Sequence, residues 1–333
     1  MQWSQNCSVT GNGEVARSAL FAELLPLWYP FSVTDVRANS FLPSAQPRDW
    51  IQHPLVQGAA ALAGITGAAL AYYAVQVEPF RLRCRTETIW LADLAPSLDK
   101  LTILHLSDFH ADTRNARLMA LLHDAVDEPA DIAVVTGDFV RSPADIAAVS
   151  QILNRIQAPL GVFAVLGNHD HQDRQRPRPA LARAIRRMLD QSGVVEVANR
   201  GVRFERDGGA LWLAGVDDPH TRHDNLPQAL AQKPAGLPII LLSHSPDIVP
   251  KACKAGIALV LSGHTHGGQV RLPFVGTPVT HTRVHHPKAA GLWRAGDTWV
   301  NVSNGLGFFV QLRFQSPPEV VRLTLRRGHG IAP

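Results

Sequence analysis

The stretch LTILHLSDFH, residues 101–110, joins a short apolar run to a polar cluster, and the same join recurs along the chain. DIAVV (131–135) leads into TGDF, GVFAVL (161–166) into GNHD, LPIILL (237–242) into SHSP and IALVL (257–261) into SGHTHGG. Short apolar runs bounded by turn formers read as buried strands. Amphipathic stretches at 114–126, 143–156 and 179–189 separate the earlier runs, an alternation that predicts βαβ units. VRFERD, ALWLAGV, TWVNVS and EVVRLTL have no helical stretch between them and predict a second, more antiparallel sheet. The expected architecture is α/β, two packed mixed β-sheets flanked by helices. Functional crevices in open α/β sheets lie at the carboxyl ends of strands. Five strand ends would therefore deliver carboxylate, amide and imidazole groups to one rim.

Taken singly, these clusters say little. Asp108 and His110 stand at i, i+2, so a strand continued through them turns both side chains to one face. Gly137-Asp138 is ordinary turn chemistry. Asn168, His169 and Asp170 form a polar group that is costly to bury without purpose. His244 alone reads equally well as a satisfied core histidine. His264 and His266 repeat the i, i+2 spacing, and Gly263, Gly267 and Gly268 beside them allow close approach of backbone or ligand. Histidine is abundant, at 15 residues, and imidazole is the commonest transition-metal ligand. Oxygen and imidazole donors without thiolate suit Mn, Fe or Zn rather than an iron–sulfur centre. Cys7, Cys84 and Cys253 have no CxxC pairing, which excludes a zinc ribbon and gives no disulfide framework.

The ordered set DxH, GD, GNHD, His and GHxH resembles the calcineurin-like metallophosphoesterase family, across about residues 77–329. Glu78-Pro79, the GGQVRLP run from Gly267 and PPEVV near Pro317 are similar to its membrane-associated bacterial branch, which includes enzymes that hydrolyse UDP-2,3-diacylglucosamine in lipid A biosynthesis. The resemblance implies two divalent metal ions. Asp108, His110 and His266 would hold one, Asn168, His244 and His264 the other, and Asp138 would bridge them. It also implies that His169 protonates the leaving oxygen and that Asp170 orients its imidazole. The implied activity is hydrolysis of a phosphodiester or pyrophosphate by metal-activated hydroxide, with a lipid-linked substrate in view. A soluble nucleotide phosphodiesterase or a phosphoprotein phosphatase would carry the same metal residues, and an inactive metal-binding scaffold is the reading from another class. Many relatives carry a further acidic residue soon after GD; here Asp145 lies farther on, and no part in the site is expected of it.

The chain has 333 residues and 46% apolar composition, enough for a sizeable core. A net charge of +4 is too small to indicate a nucleic-acid partner. Residues 1–53 lack any sustained period, are broken by Pro26, Pro30, Pro43 and Pro47, and read as a poorly ordered segment. Residues 54–75 then run without a charge. At about 1.5 Å per residue such a helix spans a hydrocarbon core of ~30 Å. Residues 54–76 are therefore expected to be a membrane anchor or signal-like helix, with an Ala/Gly-rich core helix as the competing reading. Arg37 and Arg48 before it and Arg81, Arg83 and Arg85 after it leave the orientation open. PRDWIQ is similar to a twin-arginine export signal in which Arg48 stands alone. Residues 77–100 are expected to be a linker with leading strands and 101–329 the catalytic domain. RQRPRP (174–179) reads as a solvated loop.

Overall fold

The computed structural model describes residues 51–173, 176–283 and 288–330. Most of the segment expected to be poorly ordered, residues 1–50, lies outside the described residues. In chain order the strands are β1 (Arg83–Leu91), β2 (Thr102–Leu106), β3 (Ile132–Thr136), β4 (Val162–Val165), β5 (Gln172–Asp173), β6 (Arg176–Pro177), β7 (Val195–Glu196), β8 (Arg200–Arg206), β9 (Gly209–Gly215), β10 (Ile239–Leu242), β11 (Leu259–Ser262), β12 (Gly291–Ala295), β13 (Thr298–Val302) and β14 (Glu319–Arg327). The α-helices are α1 (Pro54–Tyr72), α2 (Ala116–Ala125), α3 (Ile146–Leu153), α4 (Asn168–His171), α5 (Pro179–Gln191), α6 (Leu226–Leu230) and α7 (Val249–Lys254).

Two mixed sheets of six strands stack face to face, in the orders β1-β14-β2-β3-β4-β7 and β12-β13-β11-β10-β9-β8. Ile103, Val134, Val165, Leu213, Ile240, Leu242, Leu261 and Trp299 fill the space between them. On the outer face of the first sheet, Leu104, Leu106, Val135 and Leu166 pack against Leu118 and Leu122 of α2, Ile152 of α3 and Ile185 of α5. On the outer face of the second, Ile239, Leu241 and Val260 pack against Ala229 of α6 and Val249 and Ala252 of α7. Successive residues of β10 thus enter different cores, as the two-residue period of a strand buried on both faces requires. The layers are α/β/β/α, the expected architecture.

The second sheet differs from the expectation. Strands β9, β10, β11 and β13 run parallel, and antiparallel pairing is confined to the edge strands β8 and β12. The crossover helices α6 and α7 have only 5 and 6 residues, too short for a helical period to show in the sequence. EVVRLTL becomes β14, paired parallel to β1 and antiparallel to β2 in the first sheet. The motif-bearing strands therefore divide between sheets, with β2, β3 and β4 in one and β10 and β11 in the other.

Local chemistry sets the helix starts. Asn115 Oδ1 accepts from Leu118 N at 3.1 Å, so α2 begins after the cap, later than periodicity alone suggested. Asp145, excluded from the site above, is buried as a loop tie: it accepts from Ser142 N and Thr113 N, and with Ser142 forms a capping box ahead of α3.

Helix α1 contains no buried residue. Packing begins with Ala74, whose carbonyl accepts from Arg313 N, followed by Val75, whose carbonyl accepts from Gln311 Nε2. Glu78 is 2% exposed and accepts from Ser316 N at 2.6 Å. Burial of the chain against the two sheets and their loops therefore starts near Tyr73. A chain beginning at Tyr73 is expected to melt as cooperatively as the full chain. One beginning at Arg81 strands the buried Ser316 N–H, at a cost of about 1–3 kcal/mol, and is expected to melt several degrees lower. Differential scanning calorimetry of the two truncations checks this; equal melting points would show that residues 73–80 carry no stability.

Candidate metal centre

The carboxyl ends of the motif strands meet at one edge of the two sheets, and the loops that leave them carry Asp108, His110, Asp138, Asn168, His244, His264 and His266, all buried. Strand β2 ends at Leu106, so Asp108 and His110 do not share a strand face as their spacing suggested. Both lie in the left-handed region instead, at φ 53° and 41°. Asp138, His264 and His266 do too, at 58°, 69° and 50°. Left-handed backbone at a non-glycine residue costs on the order of 1 kcal/mol or more, and such positions cluster at functional sites. Here the loops hold one another: Asp108 N donates to Gly137 O, His110 N to Asp138 O, and Gly263 N to His244 O. Glycine is needed where they cross, because a Cβ on Gly167 would collide with Asp138 Oδ1 and one on Gly263 with Ser107 and Asp108.

Among the described residues, two groups of three have ligand atoms close enough to share a cation: Asp108 with His110 and His266, and Asp108 with Asp138 and His244. In the first, His110 Nε2 faces His266 Nε2 at 3.2 Å, and His266 Nε2 lies 3.4 Å from Asp108 Oδ1. Asp138 Oδ2 of the second group also approaches the first, 3.4 Å from His110 Nε2 and 3.3 Å from His244 Nε2. Asn168 and His264 complete the second: Asn168 Oδ1 is 3.0 Å from His244 Nε2 and 2.8 Å from His264 Nδ1.

Hydrogen bonding on the outer side of the rings tests whether these donors fit a metal. His244 Nδ1 sits 2.6 Å from Thr136 O and His264 Nε2 3.2 Å from His281 O, so each ring donates there. The lone pairs of His244 Nε2 and His264 Nδ1 then point inward at each other and at the Asn168 and Asp138 oxygens, acceptor against acceptor. A proton or a cation between them relieves that arrangement, and a carbonyl partner on the far nitrogen is how metal-bound imidazoles are commonly oriented. The donor set fits a borderline divalent ion.

The metal-free electrostatics show the same conflict. Burial pulls His110 and His264 down to about 3 and His266 well below its ordinary range. Burial also pushes Asp108 up to about 6. His244 goes the other way: burial opposes its charge, but the Asp138 carboxylate prevails and holds the imidazole well above its ordinary value. Asp138 is correspondingly held well below the usual carboxylate range, its burial outweighed by His244 and its other imidazole neighbours.

Residues 101–268 match the calcineurin-like phosphoesterase family. The chain belongs to that family. It is similar to the uncharacterised metallophosphoesterase YkoQ of Bacillus subtilis, with 32% identity over 72% of this chain and 88% of the relative. Similarity extends to the phosphodiesterase YaeI of Escherichia coli, 29% identical over 67% of this chain and 81% of YaeI. A transmembrane protein with metallophosphoesterase domain from Danio rerio is 27% identical over 87% of this chain and 66% of its own length. The protein is a metal-dependent phosphoester hydrolase.

Three residues of the phosphoesterase depart from the sequence reading. Asp170 was expected to orient the His169 imidazole. Its carboxylate is instead buried and accepts from Gly167 N, Asp138 N and Phe139 N at 2.8–3.0 Å, tying the GNHD turn to the GD turn. Burial and the Asp138 charge push it up to about 7. The His169 ring is oriented by stacking on Phe309, with centroids 5.1 Å apart at 22°. Arg178, placed in a solvated loop from the sequence, lines a cavity with His110 and His169, as does Arg176.

The sequence reading missed a layer beneath the site. Arg85 donates to Asn301 Oδ1, Asn301 Nδ2 to His105 Nδ1, His105 Nε2 to Thr136 Oγ1, Thr136 to Ser107 Oγ, and Ser107 to Asp108 Oδ2. Every bond in this chain points toward the Asp108 carboxylate, leaving the first sheet at Arg85, passing through Asn301 of the second and returning to the first at His105. The one available signal was a histidine inside the otherwise apolar run LTILHL.

Proposed function

We propose that the protein is a dinuclear phosphoesterase acting on a phosphodiester or pyrophosphate carried by a lipid at a membrane surface, of which UDP-2,3-diacylglucosamine is the model substrate. Asp108, His110 and His266 would hold one ion, Asn168, His244 and His264 the other, with Asp138 between them, and Mn, Fe or Zn suits the set. The observation that carries this reading is the inward-facing acceptor arrangement at Asn168, His244 and His264. When bound, two such ions supply Lewis-acid polarisation of phosphoryl oxygens and lower the pKa of an attacking water.

The chain's own residues supply the rest. His169 lines the cavity beside His110, where a ring nitrogen can hold a proton for the departing oxygen. Its backbone N–H donates to Asp138 Oδ1 at 2.8 Å, which registers the acid against the metal site. Asp170 keeps the two turns in contact. Helix α1 supports the membrane setting, since with the turns that follow it forms a helix long and apolar enough to cross a bilayer. The chain beginning at Tyr73 is then expected to leave the membrane pellet.

Metal binding has a proton signature. The Asp138 carboxylate holds His244 well above its ordinary value, which favours the protonated imidazole in the metal-free protein, and that proton must leave for the ring to ligate. Acidification favours the protonated forms of His244 and Asp108, so metal affinity falls as pH drops through about 6. Calorimetric titration of stripped protein at pH 7, in buffers of different ionisation enthalpy, is expected to show about one proton released on binding. Restored hydrolysis of bis(p-nitrophenyl) phosphate should accompany it. Metal uptake without proton release would remove His244 from the ligand set, and uptake without turnover would leave a metal-binding scaffold.

A further inference from the structure

A cavity of about 450 Å³ opens beside His110 and His169 and is lined also by Arg141, Arg176, Arg178 and Phe309. That volume exceeds what one phosphate needs and lies in the range of small-molecule sites. Among the described lining residues Asp173 is the only carboxylate, against three guanidinium groups. Those cations are poorly compensated. Both terminal nitrogens of Arg178 reach only the Arg141 carbonyl, at 3.4 Å. Arg176 has no ion-pair partner among the described residues. Arg141 lies over the Phe309 ring and donates to Phe309 O, and its approach to Asp112 is 3.8 Å, while Arg114 already holds that carboxylate at 2.8 and 2.9 Å. Arginines that simply face solvent would spread apart; these converge on one concavity bordering His169.

We propose that this cavity is a subsite for a second phosphate of the substrate, joined directly to the one being cleaved, so that diphosphate diesters are the preferred substrate class. The inference rests on the phosphoesterase reading above and adds to it which side chains recognise the leaving half. Guanidinium forks match phosphate oxygens in pairs and at short range, and three of them on one concavity suit a concentrated negative charge. The chemistry balances as a hydrolysis. The water oxygen bonds to the phosphorus under attack, the bridging P–O bond breaks, and two phosphomonoesters leave with the water's protons shared between them and solvent. Negative charge develops on the departing phosphate, where Arg176 and Arg178 receive it. Neither side chain holds an ion pair among the described residues: Arg178 precedes α5, makes no side-chain cap and reaches only the Arg141 carbonyl, and Arg176 is exposed.

The test compares metal-loaded parent, R176A, R178A and R178K on two probes, UDP-N-acetylglucosamine and the p-nitrophenyl ester of thymidine 5′-phosphate. The parent is expected to favour the diphosphate in kcat/KM. Each alanine variant should lower that value about 10-fold or more while changing the single-phosphate probe less than about twofold. R178K should recover part of the loss, because lysine restores charge without the fork. A parent active on the single-phosphate probe that shows no preference for the diphosphate, or variants that lower both probes alike, would overturn the subsite and leave the phosphoesterase reading standing. A metal-loaded parent inactive on both would overturn the two together.

Discussion

His169→Ala is expected to keep its metal complement and lose about 10²–10⁴-fold in kcat on an alkyl phosphodiester, the usual contribution of a positioned general acid. Two features of the structure separate this residue from its neighbours. Its ring is not among the facing ligand atoms; it stacks on Phe309 and meets His110 edge-on, with centroids 5.1 Å apart in each case. Its link to the metal site is the backbone N–H to Asp138 Oδ1, which alanine retains. Chemistry should therefore fail while binding persists. The comparison needs a poor leaving group, since p-nitrophenolate departs with little protonation and would mask the loss. Elemental analysis with kcat on methyl and p-nitrophenyl esters decides it. A metal-depleted variant would make His169 a ligand, and unchanged turnover of the methyl ester would remove it from catalysis.

How much of this was legible in the sequence depends on the range of the interaction. The strand runs and their polar ends could be read because a buried strand must be apolar over several consecutive residues, and the loops that follow must not be. Their meeting at one rim followed from strand direction. What made Asp108 and His110 converge was not legible: left-handed backbone at five of the ligand candidates leaves no mark on residue types that are not glycine. The misreading of Asp170 has a similar origin. Adjacency to His169 suggested a side-chain partner, whereas a tight turn directs neighbouring side chains apart and gives the carboxylate three backbone N–H groups. Arg176 and Arg178 read as solvated because arginine and proline in a short run are ordinary surface composition. Only the tertiary position of β5 and β6 puts them beside His169. Arg313, buried at 0% exposure, ties the carbonyls of Asn304, Gly305, Gly307 and Ser316 under His266, through contacts with no sequence signature.

Asp138→Asn should fail where His169→Ala does not, losing metal first and turnover as a consequence. The amide keeps the shape of the carboxylate and an oxygen to accept from His169 N, so the turn can persist. What it removes is charge. In the metal-free protein that charge favours protonated His244; without it, burial favours the neutral imidazole, opposed by the Asp108 and Asp218 carboxylates. The same carboxylate oxygen stands within 3.4 Å of both His110 Nε2 and His244 Nε2, so under the dinuclear reading one substitution would weaken both ions at once. Loss of an outer partner of a metal ligand already costs about 10–100-fold in affinity, and loss of an anionic ligand shared by two ions should exceed that. Asp138→Asn is therefore expected to emerge from gel filtration nearly metal-free while keeping a cooperative melt. Its proton release on metal titration should fall toward zero, because His244 no longer starts protonated. Full retention of both ions would show that Asp108, the carboxylate common to both three-residue groups, is the bridge instead, and the double role assigned to Asp138 would pass to it.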